Sequence, residues 1–164
     1  MTVKSCSTTS LNNSGDLSTQ TSPLALPLLA LDIGGKRIGV AVCDRLGIST
    51  RGLTCLYRRD SGWPGQTLKL AREYGCRGIV AGLPKNMDGT EGEQAADCRA
   101  AARELEARTD LPIVFQDERL SSWTAKERLF ARGLSEKKVR AKIDQTAAAV
   151  ILEDFLAVHP ELKG

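Results

Sequence analysis

The segment LALDIGGKRIGVAV, residues 29–42, decides the fold of this chain. Two short apolar runs flank a glycine-rich turn, and this pattern predicts two strands joined as a hairpin. One carboxylate, Asp32, lies inside the end of the first run. A carboxylate at the edge of a core carries a desolvation cost unless a metal, a hydrogen-bond network or a cation offsets it. Asp32 is therefore the first candidate for a metal ligand.

The size and composition of the chain exclude several classes of protein. Its 164 residues are enough for one domain with its own core, and its net charge of +3 is compatible with a nucleic-acid partner without requiring one. Five cysteines without a C-x-x-C pair and a single histidine argue against a disulfide framework and zinc chemistry. No apolar run reaches the roughly 20 residues that span a bilayer. We expect a cytoplasmic protein that has no membrane partner.

The N-terminal segment differs in composition from the rest of the chain. Residues 1–22 are rich in Ser, Thr and Asn and have few apolar side chains, which predicts disorder. We expect a disordered leader over residues 1–26, one folded domain over residues 27–158 and a short C-terminal tail over residues 159–164. A transit peptide is disfavoured because the leader contains no arginine.

The apolar pattern after the leader predicts an α/β domain with a mixed sheet. Strands are predicted at residues 27–33, 38–43, 52–57, 78–83 and 112–116. Helices are predicted at residues 66–74, 91–108, 122–132 and 142–158. Thr90 and Glu93 have the spacing of a capping box at the start of the second helix. Short links make the first three strands antiparallel, whereas helical crossovers make the later strands parallel, so a ligand site is expected at their carboxyl ends.

Three acidic positions stand at the ends of predicted elements. Asp32 closes the first strand, Glu118 follows the last strand and Asp144 opens the last helix. Carboxylates in such a set bind Mg²⁺, and two such ions can activate water and stabilise the leaving oxygen in phosphodiester cleavage. Two of the three residues also have a structural alternative: Asp144 as a helix N-cap, and Glu118 paired with Arg119 on the surface.

Cations and amides near these acids are candidates for phosphate binding. Lys36 and Arg37 lie in the glycine turn, and Lys85 and Asn86 lie in the loop after the fourth strand. Residues 126–142 add a local basic excess that would attract phosphates without reading base sequence. Solvated surface charges explain the same pattern equally well.

Four blocks in this order resemble the YqgF/RuvX family. They are LDIGGKRIGVAV at 31–42, GLPKNMDGTEG at 82–92, DERLS at 117–121 and IDQTAA at 143–148. The resemblance spans about residues 28–158 and implies an RNase H-like fold, with a mixed five-stranded sheet and helices on both faces. It further implies a metal-dependent nuclease of ribosome biogenesis that acts on the 5′ end of precursor 16S rRNA. The family's older label, Holliday junction resolvase, leaves a DNA-cleaving activity open.

The resemblance also assigns roles to residues. It makes Asp32, Glu118 and Asp144 the catalytic acids and the ligands of Mg²⁺ or Mn²⁺. Substrate contacts are expected from Lys36, Arg37, Lys85, Asn86 and Arg119, with structured RNA or branched DNA as the partner. One departure concerns the wider RNase H-like group, which often has its second acid at the end of the fourth strand. This chain has Gly82-Leu83-Pro84 there, so Glu118 takes that role.

Two other functions remain compatible with the sequence. Asp-x-Gly turns between strands also bind ATP in the actin and sugar-kinase superfamily, but those proteins close two such domains around the nucleotide, and this chain has residues for one. A non-catalytic assembly factor could bind ribosomal RNA through the basic helices. In that case the acids would only cap helices and pair with cations.

Overall fold

The structure is a computed structural model that describes residues 24–118, 133 and 136–163, with the side chains of residues 136–145 left out. Most of the predicted leader, the predicted helix over residues 122–132 and the predicted substrate residue Arg119 lie outside the described residues. None of the helices in the described part is long and apolar enough to cross a membrane.

Five strands form a single mixed sheet. They are β1 Leu29–Ile33, β2 Arg37–Cys43, β3 Thr50–Tyr57, β4 Ile79–Leu83 and β5 Ile113–Asp117. Their order is β3-β2-β1-β4-β5. The pairs β1–β2 and β2–β3 are antiparallel, and β1–β4 and β4–β5 are parallel. The predicted mixed five-stranded sheet is therefore confirmed.

Helices cover both faces of this sheet, as expected. They are α1 Trp63–Glu73, α2 Glu93–Glu106 and α3 Glu136–Val158, and a short 3-10 turn, Pro160–Lys163, follows. Leu29, Leu31 and Ile33 of β1 pack in one core with α1 and α2. Ala30 packs in a second core with α3. Because side chains alternate along a strand, Asp32 belongs to the face that α3 covers.

Some boundaries differ from the predicted ones. Helix α1 begins three residues early, because Trp63 is only 3% exposed and its burial anchors the first turn. Gly75, at φ 64°, ends that helix as predicted. The predicted capping box of Thr90 and Glu93 is wrong, since the N-cap of α2 is Gly92, which forms no side-chain hydrogen bond. The Thr90 hydroxyl instead donates to Asp88 at 2.6 Å, within the loop.

Candidate active site

A cleft of about 450 Å³ opens at the carboxyl ends of β1, β4 and β5. Its described lining is Asp32, Ile33, Gly34, Gly35, Pro84, Lys85, Glu93, Gln94, Asp97 and Glu118. The β4–β5 register pairs Leu83 with Asp117, and the backbone N–H of Glu118 donates to the Leu83 carbonyl at 3.2 Å. The parallel ladder thus brings Glu118 beside Asp32, although 85 residues separate them in the sequence.

The carboxyl group of Glu118 lies over Gly82 of β4. A Cβ atom built on Gly82 would lie 2.7 Å from the Glu118 carboxyl carbon and 2.6 Å from Cδ1 of Ile151. Val80 of β4 packs in the α3 core, so Gly82, two residues later, faces the same layer. The Glu118 carboxyl therefore occupies the space that a β4 side chain would take. This explains how the chain has Gly-Leu-Pro where the wider group often has an acid.

The environment of Glu118 disfavours its charged form. Burial raises the pKa of Glu118 to about 8, and the nearby charges of Asp32 and Asp117 contribute to the rise. Partly buried carboxylates that repel one another are a fitting donor set for a hard divalent cation, which would remove the repulsion. The described side chains contain no group of three or more such ligands, and Asp32 and Glu118 are the two predicted acids among them that meet in the cleft.

Asp144 does not open the last helix, contrary to the prediction. Helix α3 begins at Glu136, because residues 136–142 consist mainly of good helix formers and extend it by two turns. The N-cap alternative for Asp144 is therefore wrong. Position 144 lies one helical turn before Ala148, which packs in the core between α3 and the sheet. Its side chain is outside the described set, so the structure brings together two of the three predicted acids.

An ion pair fixes the turn that follows Asp32. Arg58 Nη1 donates to the Gly34 carbonyl at 2.9 Å and to Asp97 at 2.7 Å, while Nη2 donates to Asp97 at 3.1 Å. The hydrogen bond to Asp97 raises the pKa of Arg58, and the same bond lowers the pKa of Asp97. Arg58 thereby ties the β1–β2 turn to α2. This pair was not predicted from the sequence, since no local pattern links residues 39 positions apart.

A buried thiol forms a hydrogen bond with the end of β1, next to Asp32. Cys98 of α2 donates its S–H to the Ile33 carbonyl at 3.4 Å. Burial raises the pKa of Cys98 to about 12, with smaller contributions from Glu118, Asp97 and Asp32. The thiol stays protonated, so it acts as a structural donor and not as a nucleophile.

The predicted substrate residues fall into different places. Lys85 lines the cleft with Asp32 and Glu118. Asn86 is not among the described lining residues, and its amide donates to the Thr90 hydroxyl at 2.9 Å within the loop. Lys36 and Arg37 line a separate pocket on the other side of the turn, together with Tyr57 and Arg59.

The strand order, the helices on both sheet faces and the acids at the carboxyl edge define an RNase H-like domain. Among solved structures, the chain is similar to T. thermophilus RuvC in complex with Holliday junction substrate. The TM-score is 0.50 with 14% identity, over 81% of this chain and 95% of that chain, so the likeness concerns the fold alone.

The family follows from the sequence comparisons. The model described as RuvX: Holliday junction resolvase matches residues 27–158, and the chain belongs to this family. A Moorella thermoacetica relative is 45% identical over 130 residues, which are 79% of this chain and 93% of the relative. A Synechococcus elongatus relative is 43% identical over 129 residues, which are 78% of this chain and 87% of the relative. Both carry the name "Putative pre-16S rRNA nuclease".

Proposed function

We propose that this protein is a divalent-metal-dependent endonuclease that processes the 5′ end of precursor 16S rRNA in the cytoplasm. The observation that carries the proposal is the Asp32–Glu118 carboxylate pair at the carboxyl edge of an RNase H-like sheet. The substrate is supported by the name of the relatives, which match more than three quarters of this chain.

The proposed metal ligands are Asp32, Glu118 and Asp144, and the proposed ion is Mg²⁺ or Mn²⁺. When bound, such ions activate water and stabilise the leaving oxygen of a phosphodiester. Asp32 is held by the β1 ladder and Glu118 by its backbone bond to Leu83, so both carboxylates are positioned by rigid elements.

Binding the RNA backbone is the proposed task of the cations around the cleft. Lys85 lines the cleft itself and is suited to a phosphate next to the scissile one. Lys36, Arg37 and Arg119 are proposed to contact phosphates further along the strand. Asn86 is proposed to act indirectly, because its hydrogen bonds with Thr90 hold the loop that carries Lys85.

A second candidate is cleavage of branched DNA, which the description of the family model favours. One experiment separates the candidates. The purified protein is incubated with precursor 16S leader RNA, a four-way DNA junction and a random single strand, each with Mg²⁺, Mn²⁺ or chelator. We expect metal-dependent cleavage of the leader RNA, and cleavage of the junction alone would favour the resolvase.

Two variants connect this activity to the cleft. Asp32→Asn is expected to abolish cleavage while RNA binding and folding are retained, whereas Glu106→Gln, an exposed acid at the end of α2, is expected to cleave at the wild-type rate. Wild-type rates for Asp32→Asn would refute the mechanism. Binding without cleavage under every metal condition would favour an assembly factor.

A further inference from the structure

A second pocket of about 600 Å³ lies beside the candidate active site, on the other side of the β1–β2 turn. We call it the turn pocket, and its described lining is Gly34, Gly35, Lys36, Arg37, Tyr57 and Arg59. We propose that the turn pocket binds one nucleotide of a single-stranded RNA substrate, with the base stacked on Tyr57 and the phosphates on Lys36 and Arg59. This inference rests on the proposed nuclease function and extends its substrate site.

The sheet register builds the aromatic side of this pocket. Arg37 pairs with Tyr57 across β2 and β3, and the Arg58 N–H donates to the Lys36 carbonyl at 2.9 Å. The ladder thus continues to the rim of the pocket and holds Tyr57 on a regular strand. Tyr57 is 56% exposed, which leaves much of its side chain open to solvent. An exposed tyrosine on a rigid strand beside cations is a suitable stacking platform for a base.

The charges of the two cavities are opposite. The turn pocket has three cations and no carboxylate among its described lining residues, whereas the cleft has four carboxylates and one lysine. Two of the four carboxyl groups carry little free charge at neutral pH, because burial raises the pKa of Glu118 to about 8 and Asp97 is paired with Arg58. Without metal, the turn pocket therefore attracts a phosphate backbone more strongly than the cleft does. Arg58 does not add to this attraction, because Gly34 and Asp97 already occupy its guanidinium. The residues on either side of Arg58 in the sequence, Tyr57 and Arg59, are both exposed.

The β1–β2 turn between the two cavities leaves room for an RNA strand to pass from one cavity to the other. Gly34 and Gly35 line both the cleft and the turn pocket. A Cβ atom built on Gly35 would have no atom within 4 Å, so packing within the protein does not require glycine there. A glycine at this position does allow a ligand backbone to approach the turn closely. An RNA strand cleaved at Asp32 and Glu118 can thus continue over Gly35 to Tyr57.

The test measures binding in the metal-free protein, so that it does not depend on cleavage. Fluorescence anisotropy gives the Kd of a labelled single-stranded RNA in the presence of EDTA. Tyr57→Ala is expected to weaken binding about 5- to 100-fold through loss of base stacking, and Tyr57→Phe to bind within about 2-fold of wild type because the ring remains. Arg59→Ala is expected to reduce the slope of log K against log salt by about 0.7, the effect of one phosphate contact.

The chain offers a matched control at the opposite end of the sheet. Tyr74 is 37% exposed and lies under the guanidinium of Arg51, 5.4 Å from the ring centroid, so it is a tyrosine with a cation outside the turn pocket. Tyr74→Ala is expected to bind RNA like wild type. Gly35→Ala should fold normally, because its methyl group contacts no other part of the protein. It should still bind RNA more weakly, because the methyl group obstructs the path of the RNA strand. Thermal unfolding checks that each variant is folded.

The outcomes separate this inference from the proposed function. Wild-type affinity for Tyr57→Ala, or an equal loss for Tyr57→Phe and Tyr57→Ala, would overturn the stacking role even if the protein cleaves RNA. Weaker binding for Tyr57→Ala alone would support the subsite even if no metal condition gives cleavage. An equal loss for Tyr74→Ala would show diffuse charge binding and would overturn the inference.

Discussion

Replacing Glu118 with glutamine is expected to stabilise the metal-free protein at alkaline pH, although it removes a proposed catalytic group. Folding raises the pKa of Glu118 from 4.5 to about 8, so the folded state favours the protonated carboxyl. The stabilisation from this protonation is complete below pH 4.5 and is lost as the pH rises through about 8. Above that pH, the wild-type protein carries a partly buried negative charge beside Asp32, and the glutamine variant does not.

The size of the effect follows from the pKa. One pKa unit corresponds to about 1.36 kcal/mol, so a rise from 4.5 to about 8 destabilises the charged folded state by about 5 kcal/mol. A glutamine amide in the same place leaves part of its hydrogen bonding unmade, at a cost of about 1 to 3 kcal/mol. We therefore expect Glu118→Gln to be about 2 to 4 kcal/mol more stable than wild type at pH 9.

Urea unfolding in EDTA at pH 5, 7 and 9 measures this difference. The free-energy difference between variant and wild type should become more favourable to the variant with each step in pH, and Glu106→Gln should stay within about 0.5 kcal/mol of wild type throughout. Saturating Mn²⁺ should then stabilise wild type more than Glu118→Gln, because only wild type keeps both of the proposed ligands Asp32 and Glu118. A difference independent of pH would refute the electrostatic account of this site.

Three further substitutions test the surroundings of the cleft. Gly82→Ala places a methyl group against Glu118 and Ile151, so we expect a loss of about 1 to 3 kcal/mol in urea unfolding and weaker Mn²⁺ binding by calorimetry. Asp97→Asn breaks the ion pair with Arg58, so we expect the variant to be less stable than wild type by less than about 1 kcal/mol at pH 7. Because the pair lowers the pKa of Asp97, this difference should vanish as the pH falls below 3.8 and the wild-type carboxylate is protonated. A deficit that persists in acid would contradict this assignment. Lys85→Ala should reduce the salt dependence of RNA binding by about one phosphate contact and raise KM more than it lowers kcat. An unchanged salt slope would remove Lys85 from the phosphate site.

The sheet was predictable from sequence because its signals are local. The apolar runs around the glycine turn, and the alternation of strands with helical spacing, depend only on neighbouring residues. The meeting of Asp32 and Glu118 was also predictable, since the carboxyl ends of parallel strands share one edge of a sheet. In both cases a local pattern and one topological rule were sufficient.

Other features of the site could not be predicted because they depend on tertiary packing. The bidentate pair of Arg58 and Asp97 joins the end of β3 to α2, and nothing near either residue indicates its partner. In the sequence, Tyr57 is an ordinary strand residue, and only the pairing of β2 with β3 shows that it lies at the rim of the turn pocket. The early start of α3 was missed because the aspartate at position 144 resembled an N-cap, whereas helix propensity over the preceding residues extends the helix past it.

Because position 82 of β4 is a glycine, the acid at this place in the site can come from Glu118, which follows β5, and not from β4 itself. The Glu118 carboxyl fills the volume above Gly82, and an acidic side chain on β4 would compete for that volume. The two carboxyl groups would compete for one space, so we expect an acid introduced at position 82 to displace the Glu118 carboxyl unless Glu118 is exchanged as well. A search for nucleases of this fold should therefore match the position of the carboxylate in three dimensions, because a motif tied to the fourth strand would pass over this chain.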